Sequence, residues 1–374
     1  MSVASHASTN EQTAPPALKE IFDVARIHHF ADALHAIYPA FQREAFLAQT
    51  LSGLDGLSLM QRLRRVTECI HAQMPPDYRQ TLAILRDFAP HINHSFASMV
   101  LPDYVGLYGR HDFDVSMDAF KFFTTFGSSE FAVREFLRLD LPRALATMEA
   151  WSRDENEHVR RLASEGSRPR LPWSFRLDAL VRDPSPTAPI LDNLKQDSSL
   201  YVRKSVANHL NDITKDHPDW VMDRLTQWPL DHTYTAWIAK RALRTLIKQG
   251  NSRALALIGA GERAQVELQA FTVEPQSITL GETVTLHVQL KSTATTAQRL
   301  VVDYTIHYVK KSGGSSPKVF KFKEFTLGAG ESITLTRKQS IRNFTTRIHY
   351  PGRHEVEIMV NGEQMAQGYF ELTM

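Results

Sequence analysis

The chain has 374 residues, 43% hydrophobic and 22% charged, with 43 basic against 41 acidic side chains. That length exceeds what one hydrophobic core usually serves, so two domains are expected. No stretch approaches the ~18 consecutive apolar residues of a membrane span, the single cysteine, Cys69, excludes an intrachain disulfide and a cysteine-built zinc site, and a net charge of +2 gives no bulk attraction for nucleic acid.

Residues 1–17 are rich in Ser, Ala, Thr and Gln and lack the basic start and apolar centre of a secretory signal, so they read as a mobile tail on a cytoplasmic protein. Residues 18–260 read as helices separated by short Pro, Gly and Asp breaks. A Val-Arg pair followed by small and apolar residues recurs at Val133-Arg134, Val159-Arg160 and Val202-Arg203, with a looser copy at Ile238-Ala239-Lys240-Arg241. The gaps lie near the length of a helical hairpin, and HEAT-type pairs run ~40–47 residues. Such pairs bury their apolar faces only by stacking, which predicts a solenoid with a concave surface.

Within this array, Phe126-Gly127-Ser128-Ser129-Glu130 reads as a helix start, where a serine cap and an acid in the first turn are ordinary chemistry. The stretch 157–173 is less ordinary. Val159, Leu162, Ala163 and Gly166 share one face, the expected core, with His158, Arg161 and Glu165 as a polar stripe beside it. Gly166 is expected to end the helix, which leaves Glu165 in the last turn, where the helix dipole disfavours an anion. An i,i+4 pair with Arg161 is the alternative account of that acid. Two prolines in Arg168-Pro169-Arg170-Leu171-Pro172-Trp173 predict a stiff, extended segment that fixes Trp173, either as a core plug or as a platform for a base or cationic ring. Between Arg160 and Arg176, five arginines face one acid, Glu165, an excess suited to a phosphate backbone. Farther on, Tyr201, Ser205, Asn208 and Asp212 share a helix face, which on spacing alone reads as solvated.

The pattern changes after Gly259-Ala260-Gly261. From residue 265 to 374, period-two runs such as Val284, Leu286, Val288 and Leu290, with turns at Gly313-Gly314, Gly328-Ala329-Gly330 and Asn361-Gly362, predict a β-sandwich of immunoglobulin type without its cysteine pair. Charge is uneven: residues 1–263 carry 31 basic and 31 acidic side chains, the remainder 12 and 10. Residues 299–323 hold six basic groups, among them Lys310, Lys311 and Lys318, against Asp303 alone, and residues 337–353 hold five with no acid. Lysines also suit a solvated edge strand; the alternative is DNA contact, with the Gly-Ser loop after Lys311 flexible enough to enter a groove.

The motifs at 126–130, 157–173 and 199–218 resemble the AlkC-type DNA glycosylases of the HEAT-like-repeat superfamily, and the sandwich resembles the immunoglobulin-like extension of one branch of it. The resemblance implies an α-solenoid followed by a β-sandwich, and excision of cationic alkylated bases of the 3-methyladenine and 3-methylcytosine type from duplex DNA. It implies no cofactor or metal, no membrane, a monomer, and chemistry without base flipping. It places Glu165, Glu130 and Asp212 as the carboxylates of the site and Trp173 against the lesion. His158, Arg160, Arg161, Arg168, Arg170, Arg203, Lys204, Lys310, Lys311 and Lys318 are the expected DNA contacts. The competing expectation is a non-catalytic DNA-binding scaffold, since helical solenoids are commonly interaction platforms.

Overall fold

The fold is that of a computed structural model, which describes residues 17–261, 263–344 and 347–374; the expected N-terminal tail falls almost wholly outside them. Two compact units divide at Leu194/Lys195. No helix among the described residues is long and apolar enough to cross a membrane.

The first unit, Met1–Leu194, is helical: α1 (Val24–Ile37), α2 (Arg43–Leu51), α3 (Leu59–His71), α4 (Tyr78–Phe88), α5 (Val100–Tyr108), α6 (Phe113–Phe123), α7 (Val133–Leu139), α8 (Leu141–Trp151), α9 (Glu157–Gly166), α10 (Asp178–Arg182) and α11 (Ala188–Leu194). The Val-Arg copy at α9 shows how the pattern builds a helix start. Asp154 accepts from the Asn156 amide, Asn156 accepts from His158, and Arg160 folds back to donate to the Asp154 and Glu155 carbonyls at 2.9 and 2.8 Å. Donors and acceptors that a helix end leaves orphaned are thereby satisfied. Val159, Leu162 and Ala163 are fully buried, as the periodicity predicts. Gly166 closes α9 for a different reason from the expected one. It is not left-handed; a Cβ there would sit 2.7 Å from Val133 and 2.9 Å from Met148, so glycine is required for α9 to approach α7 and α8.

The second unit, Lys195–Met374, joins α12 (Leu200–Ile213), α13 (Pro218–Thr226), α14 (Thr233–Ala242), α15 (Arg244–Lys248) and α16 (Ser252–Leu257) to the sandwich. At α12 the same turn recurs: Asp197 caps Ser199, and Arg203 donates to the Asp197 and Ser198 carbonyls at 2.8 and 2.7 Å. The strands are β1 (Val266–Glu274), β2 (Ser277–Thr279), β3 (Thr283–Ser292), β4 (Gln298–Val309), β5 (Ser315–Leu327), β6 (Ser332–Ser340), β7 (Gly352–Val360) and β8 (Glu363–Thr373). They form one sheet ordered β1-β3-β6 and another ordered β2-β8-β7-β4-β5. The alternating Val284, Leu286, Val288 and Leu290 of β3 share a core with Val302, Tyr304 and Ile306 of β4 and Val356, Ile358 and Val360 of β7. That packing stands where an antibody domain has its disulfide.

Helices and sandwich are locked together within this unit. Glu324 of β5 binds Lys240 of α14 at 2.5 Å and Arg299 of β4 at 2.6 Å. Gly250, left-handed after α15, meets Gly362 backbone to backbone, and a Cβ on either would clash with the other at 3 Å or less. Asn361 and Gly362 both have positive φ, the two-residue hairpin turn their types predict.

Candidate functional site

In the first unit the structure gathers Glu130, Arg161, Glu165 and Arg168 into one chain of alternating charge. Glu165 is 6% exposed. Its Oε1 receives Arg168 at 2.5 Å and Arg161 at 3.6 Å. Arg161 also ion-pairs with Glu130 and donates to Ser128 Oγ at 2.9 Å, while Ser128 donates to Glu130 Oε2 at 2.9 Å. One arginine therefore ties two carboxylates that lie 35 residues apart in sequence. The i,i+4 pair offered as the ordinary account of Glu165 exists at 3.6 Å, and a shorter contact, at 2.5 Å, comes from Arg168, beyond the helix end. Arg168 itself is buried.

The segment after α9 is not extended. It curls through turns at Pro169-Arg170 and Pro172-Trp173, held by Leu177 N–H to Pro169 O at 3.1 Å and Ser174 N–H to Leu171 O at 3.3 Å. Leu171, not Trp173, plugs the core. Trp173 takes φ 65°, a conformation rare for a bulky residue, and is 68% exposed. A large aromatic held out in water by a strained turn is not the core plug that was one of its two expected roles. Trp173, Phe175, Phe131, Met99 and Ser128 help line a cleft of about 250 Å³; Ser128 links it to the cluster by its hydrogen bond to Glu130, while Glu130, Arg161, Glu165 and Arg168 do not line it.

Arg134, to which the sequence assigned only a repeat role, organises this region. It is completely buried and donates to the Gly166, Arg168 and Phe175 carbonyls at 3.0, 2.6 and 2.5 Å. The signal that could have exposed it is a changed residue: the Asp that precedes Val159 and Val202 by five residues is Ser128 before Val133.

In the second unit Asp212 is 4% exposed in the last turn of α12 and pairs with Lys215 at 3.1 Å; Ser205 is buried too. The face expected to be solvated is in fact inward at both positions. Of the expected DNA contacts, Arg160 and Arg203 each commit one guanidinium nitrogen to their own helix start, and Arg203 also stacks 4.0 Å over Tyr234. His158 and Arg170 are half-buried and Lys204 is exposed. Lys310 and Lys311 sit exposed at the β4–β5 hairpin, which Lys310 N–H to Gly314 O at 2.7 Å and Gly313 N–H to Lys310 O at 3.0 Å close into a tight turn instead of a flexible loop. Lys318 is exposed over the Phe320 ring at 5.0 Å; partial burial and the neighbouring Arg347 and Lys248 push its pKa down.

A helical array with paired acids in an arginine frame, followed by an immunoglobulin-like sandwich, defines a class: the DNA alkylation repair enzymes. A family model described as DNA alkylation repair enzyme matches residues 119–246, and one described as the C-terminal Ig-like domain of YhaZ matches residues 267–374. The chain belongs to the AlkC-type DNA alkylation repair family. It is 43% identical over 347 residues to YhaZ of Bacillus subtilis, covering 92% of this chain and 96% of that one. It is 58% identical to the alkylpurine DNA glycosylase AlkC of Pseudomonas fluorescens, solved bound to DNA containing an abasic site analog, with a TM-score of 0.93 over 96% of this chain and 100% of that one.

Proposed function

We propose that this protein is a DNA glycosylase that hydrolyses the N-glycosidic bond of cationic alkylated bases, of the 3-methyladenine and 3-methylcytosine type, in duplex DNA. The observation that carries this reading is the Glu130–Arg161–Glu165–Arg168 chain, buried at Glu165 and Arg168, together with an exposed, conformationally strained Trp173 five residues past Arg168. Alkylation at a ring nitrogen leaves the base positive and its bond to C1′ weak. When that bond breaks, its electron pair leaves with the base, which departs neutral, and positive charge develops on the sugar. Water then adds at C1′ and gives up a proton.

A carboxylate ~4 Å from the developing charge, at an effective dielectric of about 20, contributes roughly 4 kcal/mol, or about three powers of ten in rate. Glu165 is the chief group for this and for holding the water, with Glu130 and Asp212 in support. Arg161 and Arg168 fix both carboxylates of the first unit in place before the lesion arrives, so little reorganisation remains for the reacting state. Trp173 offers a π face to the cationic ring, and the lesion reacts without being swung into a pocket. Arg170, His158, Lys204 and the sandwich lysines Lys310, Lys311 and Lys318 hold the phosphate backbone.

The test is incubation of the full-length chain with methylated duplex DNA and identification of what is released. Free N3-methylated bases and matching abasic sites are expected. Tight binding with no base released would leave the scaffold reading in its place.

A further inference from the structure

The three Val-Arg copies diverge in what their arginine does. Arg160 and Arg203 close the turn that begins their own helix. Arg134 differs, although Ser128, standing where the others have Asp154 and Asp197, still accepts from the Glu130 amide at 3.3 Å; α7 begins after Ala132 with no side-chain cap. Its guanidinium instead reaches 32 to 41 residues along the chain, to the carbonyls of Gly166, Arg168 and Phe175. The Phe175 ring lies 5.5 Å from its central carbon.

A permanently charged group with no exposure is tolerated where hydrogen bonds replace its hydration. The identity of the three acceptors gives the purpose. Gly166 follows Glu165, Arg168 ion-pairs with Glu165 at 2.5 Å, and Phe175 lies two residues past Trp173. One rigid, planar fork thus grips both ends of the curled segment that links the buried carboxylate to the exposed aromatic. Its charge also lies against the carbonyl end of α9, the negative pole at which Glu165 sits.

We infer that Arg134 is the positioning residue of this site: it sets Glu165 and Trp173 in one geometry through the 166–175 segment, without touching DNA. Lysine cannot replace it, because a single ammonium does not span three carbonyls held in a fork. The activity arm of the test rests on the glycosylase reading; the amide-exchange arm does not.

The experiment compares Arg134→Lys and Arg134→Met with wild type in the full-length chain. Single-turnover excision is read at saturating enzyme on duplex DNA carrying one N3-methylcytosine, affinity on the same duplex with an abasic analogue, and amide exchange across the whole chain. Arg134→Lys is expected to slow excision by about tenfold and Arg134→Met by about a hundredfold, the scale of loss when a reacting group is misplaced by about 1 Å. DNA affinity stays within about twofold, a split that assigns the loss to the reacting state and not to binding. Exchange rises across residues 166–177 and nowhere else. An arginine that merely stabilises the fold would lower the unfolding midpoint and leave the rate per folded molecule unchanged. A folded Arg134→Lys chain that excises within about twofold of wild type, or that shows unaltered exchange across residues 166–177, overturns the inference. If Arg134→Met fails to fold, Arg134→Lys decides. If wild type releases no base, the glycosylase reading falls and the exchange arm alone decides on Arg134.

Discussion

Cations are used in opposite ways in the first unit and in the sandwich. In the first unit the arginines nearest the site are consumed internally: Arg168 and Arg161 frame Glu165 and Glu130, and Arg134 binds three carbonyls. In the sandwich, Lys310 and Lys311 stand at an exposed turn, and the lowered pKa of Lys318 reflects partial burial first and the like charges of Arg347 and Lys248 second. A buried arginine fixes geometry and contributes little to a long-range field, whereas an exposed lysine is a screened point charge that a phosphate can use. Counting basic residues along a sequence mixes the two. The excess of arginines between Arg160 and Arg176, read as a phosphate-binding patch, includes groups whose observed work is to hold carboxylates and a helix start.

The sharpest way to break this comparison is to remove a frame arginine. Arg168→Met takes from the buried Glu165 an ion-pair partner at 2.5 Å, and the loss of one member of a buried ion pair costs about 3 kcal/mol or more. Urea unfolding of the first unit should show that destabilisation, and the excision rate of the folded fraction should fall with it. An Arg168→Met chain with wild-type stability and a flatter salt dependence of DNA binding would class Arg168 with the sandwich lysines instead.

Trp173→Ala should cost between about 1 and 3 kcal/mol in affinity for duplexes carrying a cationic lesion, and little on undamaged DNA. Competition binding with the two duplexes separates the outcomes; equal losses on both would mark Trp173 as a general DNA contact. Unfolding should barely change, since the side chain is 68% exposed.

Glu324 tests the junction within the second unit. Burial raises its carboxyl, but the hydrogen bonds from Lys240 and Arg299 outweigh that and hold it below the usual range. An acid whose folded pKa is depressed adds stability above its unfolded value, about 4.3, and loses it as pH falls through the folded one. Glu324→Gln should therefore destabilise the second unit by about 2 kcal/mol at neutral pH. The gap from wild type should close below about pH 4. Thermal melts across pH check both statements, and a gap that persisted in acid would contradict the assigned cause.

The sandwich strands were legible because alternation survives in β3, β4 and β7, and the turn at Asn361-Gly362 because few other residues accept two successive positive φ angles. Glu165 was legible as an acid at the wrong end of a helix. The reason it is tolerated there was not, because Arg168 and Arg134 act through contacts that bypass helical spacing. The turns of residues 169–173 were misjudged for the same reason: two prolines stiffen a segment, but carbonyls captured by an arginine more than thirty residues earlier decide its path. Asp212 and Ser205 lie on a stripe whose polarity matches a solvated face, and helical spacing carries no sign of the tertiary packing that buries them.

The central claim is that buried charges of the first unit act on the bond while exposed charges of the sandwich act on affinity. One paired measurement tests it most directly: single-turnover excision at saturation and the salt dependence of DNA affinity, for Glu165→Gln and for Lys310→Glu with Lys311→Glu. The account predicts that Glu165→Gln loses about three powers of ten in rate and keeps its salt slope. The lysine variant should keep its saturated rate and lose up to about 1.8 from the slope, at about 0.9 per phosphate contact. A lysine variant with impaired saturated excision, or a Glu165→Gln chain that excises at the wild-type rate, would contradict it.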